Sequence, residues 1–348
     1  MLNIGIMGST GYAGAELLRL LTAHPQVKIK FLGSHNYAGQ EFSNIYQNFA
    51  GSFNDQICSG ADLETMSKEC DVVFLALPNG IALTEVNEGI LSKAKIIDLS
   101  ADFRLKDADV YEKWYNKQHK SKELLSNAVY GLCEINCEKI KCSRLIANPG
   151  CYATCSILAL YPLLEAGIVN FKDIIIDAMS GVSGAGRAAE LGSLFCEVNE
   201  TTKAYKVISH RHTPEIKEQL SVAAGAKVSL IFTPHLVPMN RGILVTVYAK
   251  LTDKVTYEEV LDAYRARYAG EYFIRMTKKE TFPETRWVKA SNFCDIGFAL
   301  DEDSGRIIIV AAIDNLVKGA AGQAVQNMNI MFELDEKMGL ENVPVFPC

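Results

Sequence analysis

The chain is short of nearly everything that marks a specialised protein class. It has two tryptophans and six histidines in 348 residues, and no stretch of about 18 uninterrupted apolar residues. No transmembrane helix is therefore expected. The start runs straight into the apolar Leu2–Met7 without the basic region of a signal peptide. Positive charge is also scarce: 35 Lys and Arg stand against 41 Asp and Glu, a net charge of −6. That balance argues against nucleic acid or an anionic membrane as partner, while local arginines still leave room for an anionic small molecule. The ten cysteines include no C-x-x-C pair. Neither a disulfide scaffold nor a zinc ribbon is expected, and a reducing cytoplasm suits them.

What is present has a clear rhythm. A chain of this length suggests about two domains. Apolar runs at Leu2–Met7, Val27–Leu32, Asp71–Leu77 and Lys95–Leu99 alternate with helical spacing at Ala15–Leu21 and Ile81–Leu91. This predicts an α/β fold with a Rossmann-type, doubly wound parallel sheet. Residues 101–128 are polar and aromatic and read as a long functional loop. Beyond residue 150, Ile174–Met179, Lys227–Thr233, Arg241–Lys250 and Arg306–Ala312 read as longer strands, with helices at Pro214–Val222 and Tyr257–Tyr268. An α+β domain with a mostly antiparallel sheet is expected there. Leu316–Phe332, rich in small residues, reads as a helix packing back on the first domain.

Four groups of residues carry chemistry. Gly8-Ser9-Thr10-Gly11-Tyr12-Ala13-Gly14 follows the first strand and opens the first helix. Glycines at Gly8, Gly11 and Gly14 let backbone approach a pyrophosphate at the helix start, although as a bare string they also suit a plain turn. The second strand ends in Gly33-Ser34-His35-Asn36, without the carboxylate that binds the ribose of NAD, so NADP is the expected cofactor. In Asn148-Pro149-Gly150-Cys151-Tyr152, a strand-like run meets a helix-like one, and Cys151 falls where unpaired N–H groups favour a thiolate. Ser209-His210-Arg211-His212-Thr213-Pro214-Glu215-Ile216 holds two of the six histidines. If Ala204–Ile208 stays extended, His210 and His212 share one face, with Thr213 as helix cap and Pro214 in the first helical position. No third ligand lies nearby at metal spacing, so no metal is expected and a proton relay to Cys151 is the sharper reading. Asp98–Arg104 and the Gly/Ser-rich Ser180–Arg187 each end in an arginine suited to phosphate.

Taken together, Gly8–Gly14, Leu77-Pro78-Asn79-Gly80, Leu99–Leu105, Ala147–Thr154, Ser180–Arg187, His210–Ile216 and Asp314–Gly322 resemble the N-acetyl-γ-glutamyl-phosphate reductases of arginine biosynthesis. That family is similar to the aspartate-semialdehyde dehydrogenases and, more distantly, to glyceraldehyde-3-phosphate dehydrogenase. The resemblance implies an NADP-binding domain over 1–150, completed by a C-terminal helix 315–348, and a catalytic and dimerisation domain over 151–314. It implies Cys151 as nucleophile and His210 as acid/base, with His212 close behind as base or phosphate contact. Arg104, Asn148, Ser183 and Arg187 would bind substrate. Gly8, Ser9, Thr10, Gly11, Gly14 and Ser34 would bind the cofactor phosphates and ribose, and Pro78, Asn79, Asn315 and Gly319 would lie near the nicotinamide. Asn79 stands where some relatives carry histidine. The implied reaction is reduction of an acyl phosphate through a cysteine thioester, in a cytoplasmic homodimer or homotetramer. Two rivals are an enzyme for aspartyl phosphate, for whose ammonium Glu197 is a candidate partner, and a dinucleotide sensor without catalysis.

Overall fold

In the computed structural model, which describes residues 1–51 and 56–347, the run Leu2–Met7 forms strand β1, with Ile4 and Ile6 wholly buried. Six more short strands join it: β2 (Val27–Gly33), β3 (Cys58–Ser59), β4 (Val72–Leu75), β5 (Lys95–Asp98), β6 (Ala128–Tyr130) and β7 (Leu145–Ala147). Their order is β3-β2-β1-β4-β5-β7-β6, and every pairing is parallel. Strands covered on both faces must be apolar throughout, and Val72-Val73-Phe74-Leu75 is buried at all four positions. The chain runs outward from β1 through β2 to β3, then restarts at β4 on the other side. The switch point therefore lies between β1 and β4, where open α/β sheets bind ligands beyond their strand ends. The doubly wound sheet is as the alternation predicts.

Three details depart from the sequence reading. The single helix expected over 81–91 is two turns, Ala82–Glu85 and Glu88–Leu91, because the Asn87 side chain accepts from Ile90 N–H and caps a new start. The 101–128 segment contains a helix, Ala108–Tyr115, capped by Asp107 and ended by the left-handed Asn116. The tail is not helical to its end: a π-helical turn, Val317–Ala321, leads into the helix Gly322–Met331, and only turns follow. Cys348, the last residue of the 315–348 segment, lies outside the described residues. Compact packing assigns Met1–Pro149 with Ala320–Glu341 to a first unit, and Gly150–Gly319 with Asn342–Cys348 to a second.

The second unit is built on a seven-stranded sheet. Its strands are β8 (Val169–Ser180), β9 (Lys203–Ala204), β10 (Leu230–Leu236), β11 (Ile243–Leu251), β12 (Ile274–Met276), β13 (Cys294–Asp301) and β14 (Arg306–Ile313). The order is β12-β13-β14-β11-β8-β10-β9, antiparallel except for β8 with β10 and β12 with β13. An almost wholly buried helix, Cys151–Glu165, contains Pro162. A proline has no N–H for the carbonyl four residues back, here Leu158, and the Tyr268 hydroxyl donates to that carbonyl at 2.7 Å. Tyr264 does the same for Ala159 at 2.7 Å, so the capped helix Tyr257–Tyr268 is bonded to its neighbour as well as packed on it. Among the described residues no helix is long and apolar enough to cross a membrane.

Candidate active site

In the first unit, the turn after β1 is shaped by its own backbone. Gly8 and Ser9 N–H both donate to Gly33 O, at 2.9 and 3.0 Å, and Gly11 N–H donates to Gly8 O at 3.1 Å. These amides fix the loop rather than face outward, and the Ser9 hydroxyl also turns in to Gly33 O. Gly8 has φ +81°, and a Cβ on it would lie 2.2 Å from Ala76 O; a Cβ on Gly14 would lie 2.2 Å from Gly8 O. Around Gly11 the space is open, with Gly8 O at 3.5 Å as the near atom among the described residues. The helix Tyr12–Thr22 starts there, and Ala15 N–H makes its first internal bond to Gly11 O. The N–H groups of Tyr12, Ala13 and Gly14 thus have no carbonyl within the helix, and no acidic side chain occupies its first turn. This is a cradle for an anion, and it fits a dinucleotide pyrophosphate. Thr10 Oγ1 meets Ser34 Oγ at 2.9 Å, tying the loop to the end of β2.

Beyond β4, Pro78 is exposed and Asn79 half-buried. The Asn79 side chain accepts from Ala101 N–H at 3.0 Å, and Gly80 N–H donates to both oxygens of Asp102, at 2.7 and 2.8 Å. Arg104 is buried, its Nε and one terminal nitrogen donating to Asn148 O and Leu99 O at 2.7 and 2.8 Å. The Asn148 amide is likewise engaged: Nδ2 donates to Ala320 O at 3.0 Å, and Oδ1 accepts from Asn327 at 3.1 Å. In this arrangement Asn148 holds the turn rather than presenting its amide to a ligand. Asp98 is fully enclosed, accepting from Ser100 N–H and Oγ at 2.9 and 2.7 Å. Burial, with Asp102 nearby, pushes its carboxyl up to about 7.

In the second unit, Cys151 is the first residue of its helix, after Gly150 in the cap position with φ −73° and ψ 150°. The cap has no side chain, and Gly150 N–H donates instead to Glu215 Oε1 at 2.8 Å. The sequence reading did not assign Glu215 a role, although the string His210–Ile216 contains it. Gly319 is packed against Cys151: a Cβ there would fall 2.7 Å from the Cys151 Cβ. Asn315 accepts from Gly242 N–H at 2.7 Å and donates to Ser183 Oγ at 3.0 Å, tying the Ser180–Arg187 segment in place. Ser183 in turn donates to Asn240 O at 2.6 Å. Arg187 is exposed, just after the left-handed Gly186.

The histidines meet by a different route from the one expected. The strand ends at Ala204, and Lys206 and Ile208 are left-handed, φ 45° and 64°, so no extended run reaches His210. The helix begins at His212, not Pro214, with Arg211 and not Thr213 in the cap position. Proline fits the first turn because those N–H groups have no acceptor in the helix. The two rings still share a side, their centroids 4.9 Å apart, both edge-on to Tyr152 at 5.4 and 6.0 Å, while Arg211 is exposed. His210 is boxed by Tyr152, Tyr205 and Phe232. Burial first, then the charges of His212, Lys206 and Arg211, push its pKa down to about 2. Its Nδ1 accepts from His212 N–H at 3.2 Å, which leaves the proton of the neutral ring on Nε2. Glu197 is exposed on the short helix Phe195–Val198. Among the described residues, no group of three or more His, Cys, Asp or Glu is placed to hold a metal ion.

Comparison with known proteins covers both units. The semialdehyde dehydrogenase NAD binding domain family matches residues 3–143, and the semialdehyde dehydrogenase dimerisation domain family matches residues 151–315. The chain is 57% identical over 349 residues to the N-acetyl-gamma-glutamyl-phosphate reductase of Lachnospira eligens, covering 100% of both chains. It is 54% identical to that of Lachnoclostridium phytofermentans, again over 100% of both, and 53% identical to that of Campylobacter jejuni over 98% of each. Among solved structures, aspartate semialdehyde dehydrogenase II of Vibrio cholerae complexed with ASA superposes with a TM-score of 0.71 at 18% identity, over 96% of this chain and 98% of that one. Aspartate semialdehyde dehydrogenase with NADP from Candida albicans gives 0.70 at 17%, over 95% and 98%. At that identity the likeness shows the fold.

Proposed function

The chain belongs to the N-acetyl-gamma-glutamyl-phosphate reductases, within the semialdehyde dehydrogenases, and from that premise we propose that it reduces N-acetyl-glutamyl 5-phosphate to N-acetyl-glutamate 5-semialdehyde and phosphate, using NADPH, in arginine biosynthesis. The observation that carries the chemistry is Cys151 at a helix start whose neighbour Tyr152 is flanked by two histidine rings. The Cys151 thiolate attacks the acyl carbon, a C–S bond forms, and the C–O bond to phosphate breaks. Amides of the first helical turn stabilise the developing oxyanion. His210, neutral and with its proton on Nε2, suits hydrogen-bond donation to that oxygen, because its Nδ1 lone pair is already taken. His212, half-buried at the helix start, is then the proton carrier, a reversal of the order expected from sequence. Arg187 and Arg104 are the cations for the substrate's phosphate and carboxylates. Asn148 positions the turn before Cys151, Gly319 packs against it, and Asn315 ties the Ser180–Arg187 segment through Ser183.

The residues present fit the cofactor, since the Gly8–Gly14 cradle has no room for side chains at Gly8 and Gly14 and offers helix-start amides. Gly8, Ser9 and Gly14 would shape the loop, Thr10, Gly11 and Ser34 would hold its phosphates and ribose, and Pro78 and Asn79 would lie toward the nicotinamide. When bound, NADPH supplies the hydride that takes the thioester to the aldehyde level, and the C–S bond to Cys151 then breaks, releasing the semialdehyde and restoring the thiolate. The absence of a carboxylate in Gly33–Asn36 supports NADP over NAD.

A homodimer or homotetramer in the cytoplasm completes the proposal. Its support is the outer face of the second sheet, where Ile308, Tyr248, Ile175 and Ile231 align across four strands and none is buried. The deciding assay runs the reaction in reverse, with NADP, phosphate and each semialdehyde. We expect N-acetyl-glutamate semialdehyde to be preferred over aspartate semialdehyde by at least about 100-fold. The opposite preference would overturn the substrate. The exposed position of Glu197 supports the acetylated one, since a free ammonium calls for an enclosed carboxylate.

A further inference from the structure

The segment 101–128 reads in sequence as a loop over a ligand, but in the fold it braces the turn after β4. Asp102, 1% exposed, accepts Gly80 N–H on both carboxylate oxygens and the Tyr111 hydroxyl on Oδ1 at 2.7 Å. Its own carbonyl meets His119 Nε2 at 2.8 Å, and its N–H meets Ser100 Oγ at 3.2 Å. Tyr111 is wholly buried, stacked on Tyr115 with centroids 4.7 Å apart and edge-on to His119. Lys117, from the same segment, donates to Asn79 O. Gly80 is left-handed, φ +92°, and beside it Asn79 is held by Ala101 N–H. The turn Pro78–Gly80 is thus fixed from one side by a buried anion. It carries none of the substrate-binding residues proposed above.

Topology says what the turn is fixed for. The pyrophosphate cradle follows β1 and the ribose corner follows β2, on one side of the switch point. A dinucleotide anchored there extends its other half over the ends of β4 and β5, where Pro78–Gly80 and Asp102 sit. We infer that Asp102, backed by Tyr111, is a positioning residue that sets the Pro78–Gly80 turn beneath the redox half of the dinucleotide. This rests on the dinucleotide-binding reading of the first unit.

The test is Asp102→Asn, which puts an amide N–H against one of two groups that both donate, Gly80 N–H or Tyr111 O–H. We expect the Kd for NADPH, read by its fluorescence, to rise about tenfold, and that for adenosine 2′,5′-bisphosphate, which lacks the redox half, to stay within about twofold. Alkylation of Cys151 by iodoacetamide should keep its wild-type rate. Unchanged NADPH binding would overturn the inference, and so would equal losses for both ligands, which mark a merely structural role. If Asp102→Asn does not fold, Tyr111→Phe takes its place. A rise of about threefold in the NADPH Kd alone supports the clamp, and no change overturns it. Wild-type protein that binds neither ligand would instead fail the dinucleotide reading itself, and the clamp with it.

Discussion

Two helix starts in this molecule share one backbone device. Gly11 before Tyr12 and Gly150 before Cys151 are both extended, at φ −78°, ψ 167° and φ −73°, ψ 150°. Neither has a side-chain cap, and neither helix has an acid in its first turn. They differ in what holds them. The Gly8–Gly11 loop is tied by backbone to the carbonyls of Gly33 and Gly8, so its shape depends on missing side chains. The Gly150 corner is tied by one carboxylate, Glu215, 65 residues away in sequence. A helix N-terminus attracts negative charge in both places. What separates the two corners is the residue in the first turn, Gly14 in one and Cys151 in the other, and how much of the corner is already spent on the protein's own hydrogen bonds.

The sharpest break of this comparison pairs one variant at each corner. Cys151→Ser should cut turnover at least about 1000-fold with NADPH Kd within about twofold, while Gly14→Ala should weaken NADPH binding at least about 100-fold with the alkylation rate of Cys151 unchanged. Activity of Cys151→Ser within about tenfold of wild type would remove it as nucleophile. Next is Glu215→Ala, which leaves Gly150 N–H buried without its acceptor. It should cost about 1–3 kcal/mol in denaturant unfolding and slow alkylation of Cys151, with Glu215→Gln recovering most of both. If Gln and Ala behave alike, the hydrogen bond is not what holds the corner.

The smallest effect is in pH. The folded pKa of His210 is pushed below its ordinary 6.5 to about 2, so the unfolded chain takes up a proton that the folded one refuses. Stability from this group is complete above pH 6.5 and declines as pH falls toward 2, by at most about 1.4 kcal/mol per pH unit. His210→Gln should flatten the fall in Tm between pH 6.5 and 5; an unchanged slope would assign the decline to other groups.

The sequence made the parallel sheet legible because its cues are local: β-branched runs, turn glycines and helical spacing within a dozen residues. That Cys151 opens a helix and that Gly8–Gly14 makes the turn before one were legible for the same reason. The histidine corner was found but mis-built, since nothing in Lys206 or Ile208 signals a left-handed backbone, and Pro214 fits any position in a helix's first turn. Asn148 shows the opposite failure. It sits three residues before Cys151, yet its amide is committed to Ala320 and Asn327, distant in sequence by 172 and 179 positions. Asp102 and Glu215 were present in recognised strings, but carboxylates that accept backbone N–H groups leave no spacing pattern to read.

Pro162 has a mechanical consequence. Because its missing N–H frees Leu158 O for Tyr268, and Tyr264 grips Ala159 O one residue on, the helix that begins with Cys151 is pinned against sliding along its own axis. A shift of even one ångström would strain two buried hydrogen bonds at once. The sulfur therefore behaves as a fixed post. Any adjustment around Cys151 is left to segments other than this helix.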